Sequence, residues 1–236
     1  MRKISFLFLL SLTFISRGQN IGQQQGWNYS NDWGKIEVLQ KSNKIIGENI
    51  SSEVEGSLYF SENYTTGQLL FEGKELDRNM LYRYEAYSDI IEVKLENGKE
   101  DFLAQSPKLE VIIAGDLYNY VQFYNESNKE MDFGYMIVMD KNEKYNLYDR
   151  KIKKLRPGKK ATTSMSADLQ AKLLDNETIY FRLAGDKFAK SFPDSKSSLF
   201  KMFPNQKPKL KKFLKSEKID LENPEDVARV LEFCLE

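Results

Sequence analysis

The chain has no histidine and a single cysteine, Cys234, which removes most nucleophilic chemistry at once. Ser-His-Asp and Cys-His constellations need an imidazole as general base. Zinc sites built on His or Cys need several such ligands, and one cysteine cannot supply them. Cys234 shares a helical stripe with Val230 and Leu231, where a free thiol packs as a small hydrophobe. Carboxylates remain for acid–base work: Glu85, Asp89 and Glu92 cluster, as do Asp132 and Asp140. A glycosidase-like acid pair therefore stays open on composition. No spacing selects two of these acids, and solvated strand faces and turn caps account for them equally. Asp140-Lys141-Asn142-Glu143 lacks EF-hand spacing and reads as an Asx turn. Gly67 to Gly73 has neither the lysine pattern of a phosphate loop nor a following helix. The sequence thus names no catalytic residue, no metal ligand and no cofactor.

The aromatic residues form a stronger pattern. They make up 13% of the chain, mostly as Tyr and Phe, which favours strands. Tyr82 and Tyr84 share one strand face, Tyr118, Tyr120 and Tyr124 a second, Phe133 and Tyr135 a third. Flat rings on a sheet stack on a sugar or on apolar side chains of a peptide, and tyrosine adds a hydroxyl. Tyr82, Tyr84, Tyr118, Tyr120 and Tyr124 are therefore the candidate ligand-binding residues. Cross-strand pairing and core filling compete with that reading, and solvent exposure decides between them. On 117–124 the alternate face, Leu117, Asn119, Val121 and Phe123, reads as core. That turns Tyr118, Tyr120 and Tyr124 outward or against a second layer. Two basic clusters also stand out: Arg150 to Lys160, with seven basic residues and no acid, and Lys207 to Lys218, with six lysines and one glutamate. Each suits an anionic surface such as lipid headgroups or acidic polysaccharide, although a solvated face is the plainer account.

The elements that position these residues follow from periodicity. Met80, Tyr82, Tyr84 and Ala86 alternate onto one face over 80–87. Ile91, Val93 and Leu95 alternate with Glu92, Lys94 and Glu96. Asn97-Gly98 then predicts a type I′ hairpin pairing 89–96 with 99–104. A short strand carrying Leu58 and Phe60 is expected after Gly56, and further strands over 67–71, 109–114, 117–124, 131–139, 145–149, 179–183 and 187–192. Residues 150–160 are expected as a loop and 166–176 as a short helix. The C-terminus is helical. Asp194 or Ser195 caps a helix carrying Leu199, Phe200 and Phe203, and Leu210, Phe213 and Leu214 mark a second. Asn223-Pro224-Glu225-Asp226 starts a third, with the stripe Val227, Val230, Leu231, Cys234 and Leu235. The expected fold class is α+β, predominantly antiparallel β (sandwich, barrel or curled sheet) with a short C-terminal helical tail.

The first residues carry their own message. Arg2 and Lys3 precede a charge-free, apolar-rich run from Ile4 to Ile15, and Ser16-Arg17-Gly18 places small residues at a cleavage site before Gln19. This order predicts a cleaved export signal over 1–18, too short to span a bilayer. Periplasmic or extracellular localisation follows, with no transmembrane segment in the mature chain. Without the signal the chain holds three more acids than bases, so it has no global attraction to nucleic acid. A lone cysteine allows no intrachain disulfide, and packing alone must hold the fold. The expected organisation is a signal over 1–18, a partly disordered leader over 19–55, an antiparallel β domain over 56–150, and a β-hairpin with short helices packed on it over 151–236.

Met80-Leu81-Tyr82-Arg83-Tyr84-Glu85-Ala86-Tyr87-Ser88-Asp89-Ile90-Ile91-Glu92 resembles a segment of secreted proteins typical of Bacteroidetes. Gly56-Ser57-Leu58-Tyr59, Leu147-Tyr148-Asp149-Arg150 and the helical ending from Leu199 do as well. The resemblance implies export and a β-rich body with a helical tail, and it carries no assigned activity. Together these observations lead to a secreted, non-catalytic binding or interaction protein of the bacterial cell envelope, with a glycan or an envelope protein as partner. The alternatives are a carboxylate-based hydrolase of cell-surface polymers and a structural envelope component.

Overall fold

The computed structural model describes residues 28–31, 34–37, 39–40, 54–77, 80–95, 97–161 and 167–235. The signal expected over 1–18 and much of the leader over 19–55 lie outside the described residues. Within that leader, β1 (Asn28–Asn31) and β2 (Gly34–Glu37) form a two-stranded antiparallel ribbon.

Everything else in the β part belongs to one curled, half-barrel antiparallel sheet. Its first half holds β4 (Thr65–Phe71), β5 (Lys74–Asp77), β6 (Leu81–Glu85), β7 (Ile90–Lys94), β8 (Glu100–Leu103) and β9 (Leu109–Ile113). Its second half holds β10 (Asp116–Asn125), β11 (Glu130–Lys141), β12 (Tyr145–Arg156), β13 (Lys172–Leu183) and β14 (Lys190–Ser191). The order is β14-β13-β12-β11-β10-β9-β4-β6-β7-β8-β3, with β5 beside β4 and β3 (Leu39–Gln40) on the β8 edge. The chain then returns on itself. Ala189, next to β14, donates its N–H to Gln122 O and accepts from Tyr124 N, both at 2.9 Å, so the last strand lies against β10.

The alternation seen in sequence is the alternation of burial. Met80, Tyr82, Tyr84, Ala86, Ile91 and Val93 all enter the core of the first half. β7 and β8 pair as expected, with Lys94 opposite Glu100, but the Asn97-Gly98 turn differs. Only Gly98 has positive φ (79°), and Gly98 N–H donates to Leu95 O. A two-residue type I′ turn needs positive φ at both positions, so Asn97-Gly98 is not one. The tight two-residue turns with both φ positive fall at Glu72-Gly73 and Ala114-Gly115 instead.

Three further expectations fail. The strand expected after Gly56 is replaced by isolated bridges at Glu55 and Tyr59. The loop expected over 150–160 is in large part the second half of β12, and the helix expected over 166–176 gives way to β13 from Lys172 on. The two strands pair over twelve successive positions, from Tyr145↔Leu183 to Arg156↔Lys172. Opposite charges meet across this register: Lys153 pairs with Asp175 at 2.5 Å and Lys151 with Glu177 at 3.5 Å. Such pairs stabilise a ladder that neither segment's local propensity favours.

The tail comprises α1 (Lys196–Met202), a 3-10 turn at Pro204–Gln206, α2 (Lys207–Ser216) and α3 (Pro224–Leu235). Ser195 Oγ accepts Ser198 N–H, and Asn223 Oδ1 accepts Glu225 N–H, so both expected caps are formed. Leu199, Leu210, Leu214, Val227, Val230, Leu231 and Cys234 bury against Tyr145, Leu147 and Phe181, which share one face of β12 and β13. Burial pushes the Cys234 thiol up to about 11, which keeps it protonated and inert.

Candidate functional site

β11 leaves its neighbour halfway along. Its pairing with β12 runs over Ile137↔Asp149, Val138↔Tyr148, Asp140↔Leu147 and Lys141↔Asn146, while β12 beyond Asp149 pairs with β13. The β6–β7 turn fills the split. Ala86 O accepts Lys153 N–H at 3.0 Å, and Asp89 Oδ1 accepts Tyr135 N–H at 3.1 Å. Asp89 reaches this place through a left-handed backbone (φ 57°), a conformation aspartate tolerates better than most residues. Its Oδ1 also accepts the Tyr84 hydroxyl at 2.7 Å, and its Oδ2 accepts Arg150 Nη2 at 2.8 Å. The Arg150 guanidinium lies 4.7 Å from the Phe123 ring centroid. The segments 80–92 and 147–150 therefore converge on one largely buried ion pair, between Asp89 and Arg150, whose side chains are 17% and 14% exposed.

Around that pair runs a row of five rings. Tyr118 contacts Tyr84 at 5.3 Å, Tyr84 contacts Tyr135 at 6.3 Å, Tyr135 contacts Tyr120 at 5.1 Å, and Tyr120 stacks on Phe133 at 5.6 Å with 15° between planes. Tyr84 and Tyr135 lie in the core, Tyr118 and Tyr120 are half-buried, and Phe133 at the end of the row is 40% exposed. The β10–β11 register continues it outward, placing Tyr124 opposite Met131, which is 43% exposed. Tyr120, Tyr124, Met131 and Phe133 thus form an apolar ledge at the turn end of this hairpin.

Of the five tyrosines singled out by sequence, Tyr84, Tyr118 and Tyr120 meet in the ring row. Tyr124 lies on the ledge, half-buried. Tyr82 is wholly buried, its ring over Gly67, and offers no surface. Phe133 and Met131 are the ledge residues the candidate set lacked. Their alternation with Tyr135 was visible, but their register against Tyr120 and Tyr124 was not.

The carboxylates of Glu92 and Glu85 have structural partners. Glu92 accepts Arg83 Nε at 2.7 Å and the hydroxyls of Tyr59 and Tyr64, whose ring centroids lie 4.1 and 4.3 Å from the same guanidinium. This cluster fastens the 57–64 segment to β6 and β7. Glu85 Oε1 accepts the N–H groups of Tyr87 and Ser88 in the β6–β7 turn. Among the described residues no group of three or more His, Cys, Asp or Glu is placed to hold a metal ion.

Burial raises the Asp89 carboxyl above the usual carboxylate range, against the opposing pull of Arg150 and the Tyr84 and Tyr135 hydrogen bonds. A carboxyl raised in the folded state binds its proton more tightly there than in the unfolded chain. Its contribution to stability is full below the unfolded-state value and is lost as pH rises through the folded value. The urea midpoint of the wild type, measured against Asp89→Asn across pH, is expected to show its largest wild-type advantage at the acid end. An advantage that grows with pH would show that Arg150 outweighs burial.

No protein-family model matches the chain, and no curated protein or solved structure was found to be similar to it.

Proposed function

We propose that this chain is an exported, non-catalytic binding protein of the bacterial cell envelope, and that the Tyr120–Tyr124–Met131–Phe133 ledge is its contact surface. The supporting observation is the stack of Phe133 on Tyr120. A large apolar ring held flat in solvent by a second ring is costly to leave exposed and ready to receive the apolar face of a sugar or a peptide side chain. The ion pair beneath supports this use, because Asp89, held by Arg150, accepts the β11 N–H of Tyr135, two residues from Phe133. The ledge and the inner Tyr84 and Tyr118 have different roles: buried Tyr84 and half-buried Tyr118 carry packing, the outer rings contact.

The test is binding of the wild type and Phe133→Ser to arrays of envelope oligosaccharides and of envelope-protein peptides. Loss of a central aromatic contact costs about 2 kcal/mol, roughly thirtyfold in affinity. Any ligand retained by the wild type is expected to be lost at that scale, with the thermal midpoint little changed. Equal retention by both proteins would remove the ledge as the contact surface.

A further inference from the structure

The helical tail carries a second surface, remote from the ledge. Between Lys196 and Lys218 the chain has eight lysines and one acid, Glu217. All eight lysines are exposed. Among the described residues none of them forms an ion pair, and Glu217 is held by Arg229 of α3. Their outward placement follows from packing: Leu210 and Leu214 turn into the core, which leaves Lys209, Lys211, Lys212 and Lys215 on the free side of α2.

This arrangement works against the helix that carries it. The first turn of α2 contains Lys207 and Lys209 and no acid, the wrong sign for the N-terminal end of the helix dipole. Lys207 and Lys211, and Lys211 and Lys215, repel at i,i+4 spacing. An anionic surface relieves both effects. The chain as a whole has equal numbers of acidic and basic residues, so any attraction of this kind must come from segregated charge. An apolar group sits in the same segment. Met202 is 37% exposed, and Phe200, half-buried, lies 6.0 Å beneath the Lys207 ammonium. A soluble polyanion would use the lysines alone, whereas a lipid surface takes up the charge and the apolar side chain together.

We infer that the α1–α2 face docks on an anionic lipid bilayer. The inference does not depend on the ledge. The tail packs on Tyr145, at the end of β11 marked by Lys141, and Phe133 lies eight residues back along that strand. At 3.3 Å per residue this is about 26 Å, enough for both surfaces to be used at once.

The experiment is cosedimentation of the full chain with phosphatidylcholine vesicles containing about 30 mol% phosphatidylglycerol, at about 50 mM and about 500 mM salt. Pure phosphatidylcholine vesicles measure the binding due to the apolar N-terminal residues. Each interfacial lysine contributes about fivefold to partitioning. The variant Lys209→Gln/Lys212→Gln/Lys215→Gln is therefore expected to lose about a hundredfold of the anionic-vesicle excess, as high salt does. Met202→Ser is expected to weaken vesicle binding and leave binding to soluble polyphosphate unchanged. Equal binding to anionic and neutral vesicles, or a triple variant that binds as the wild type does, would overturn the proposal. Binding of polyphosphate without vesicle binding would overturn it too, in favour of a soluble polyanion.

Discussion

Gly67→Ala is expected to prevent folding or to cost about 4 kcal/mol or more, the range reserved for severe core defects. Gly67 lies within β4, opposite Ile113 of β9. A methyl group there would sit 2.2 Å from the Ile112 carbonyl oxygen and 2.7 Å from the Tyr82 ring. The tyrosine could in principle rotate, but the carbonyl belongs to the neighbouring backbone, so relief requires the β4–β9 ladder to part. The backbone at Gly67 is not left-handed, and the effect is one of space alone. Gly73 is the matched control. It has open surroundings and φ of 76°, so Gly73→Ala tests conformation without contact and is expected to cost about 1 kcal/mol. Chemical denaturation of the two variants reads the difference. Equal costs would mean that the close approach of Tyr82 and Ile112 to Gly67 is not what demands glycine.

The second large effect is expected at the largely buried Asp89–Arg150 ion pair. Asp89→Ala removes the acceptor for the Tyr84 hydroxyl, the Tyr135 N–H and the Arg150 guanidinium together. Removing one member of a buried pair leaves the other charge uncompensated, and such losses run to about 3–5 kcal/mol. Alanine must also adopt the left-handed backbone at this position, which adds to the cost. The loss is larger than the worth of the pair itself, since burial already works against the ionised carboxyl. Arg150→Met in the same background separates the two contributions. The double variant is expected to cost less than the sum of the singles by about 1–3 kcal/mol, because the stranded charge is gone. Additive costs would show that Asp89 acts only through its turn and its hydrogen bonds. Gly134 belongs to the same construction: a methyl group there would lie 2.5 Å from Asp89 Oδ2 and 2.8 Å from Arg150 Nη2, so the pair requires glycine beneath it.

These two sites show how far the sequence could be read. Gly67 was legible as the opening of a strand, yet nothing local indicates that Tyr82 and Ile112 will close over it. Asp89 and Arg150 stood in segments that drew attention on their own, but they are 61 residues apart, and their contact depends on a split between β11 and β12. The ledge behaves the same way. Alternation placed Tyr118, Tyr120 and Tyr124 on one strand face and Phe133 and Tyr135 on another; that the two faces are one is a matter of register.

What the sequence determined by itself is local and periodic. The period of two over 80–87 and 90–95 set which side chains are buried, because successive residues of a strand must point to opposite faces. The helical tail, its caps at Ser195 and Asn223, and the burial of Cys234 followed from a period of 3.6 and from the hydrogen-bonding needs of helix ends. Only the tertiary structure decided the rest. Residues 150–156 read as a loop because unpaired lysines and arginines repel one another, and they form a strand because β13 brings Asp175 and Glu177 opposite Lys153 and Lys151. Residues 172–176 lie where helix was expected and were captured by the same ladder. The tyrosines of β10 could not be sorted into core and surface from their own strand, because the sheet is covered on both sides there. Tyr118 is overlaid by Tyr84, and Tyr120, nearer the β10–β11 turn, is overlaid only by the partly exposed Phe133 and by Tyr135. Exposure is a property of the second layer, and a strand's sequence does not state what will be packed on it.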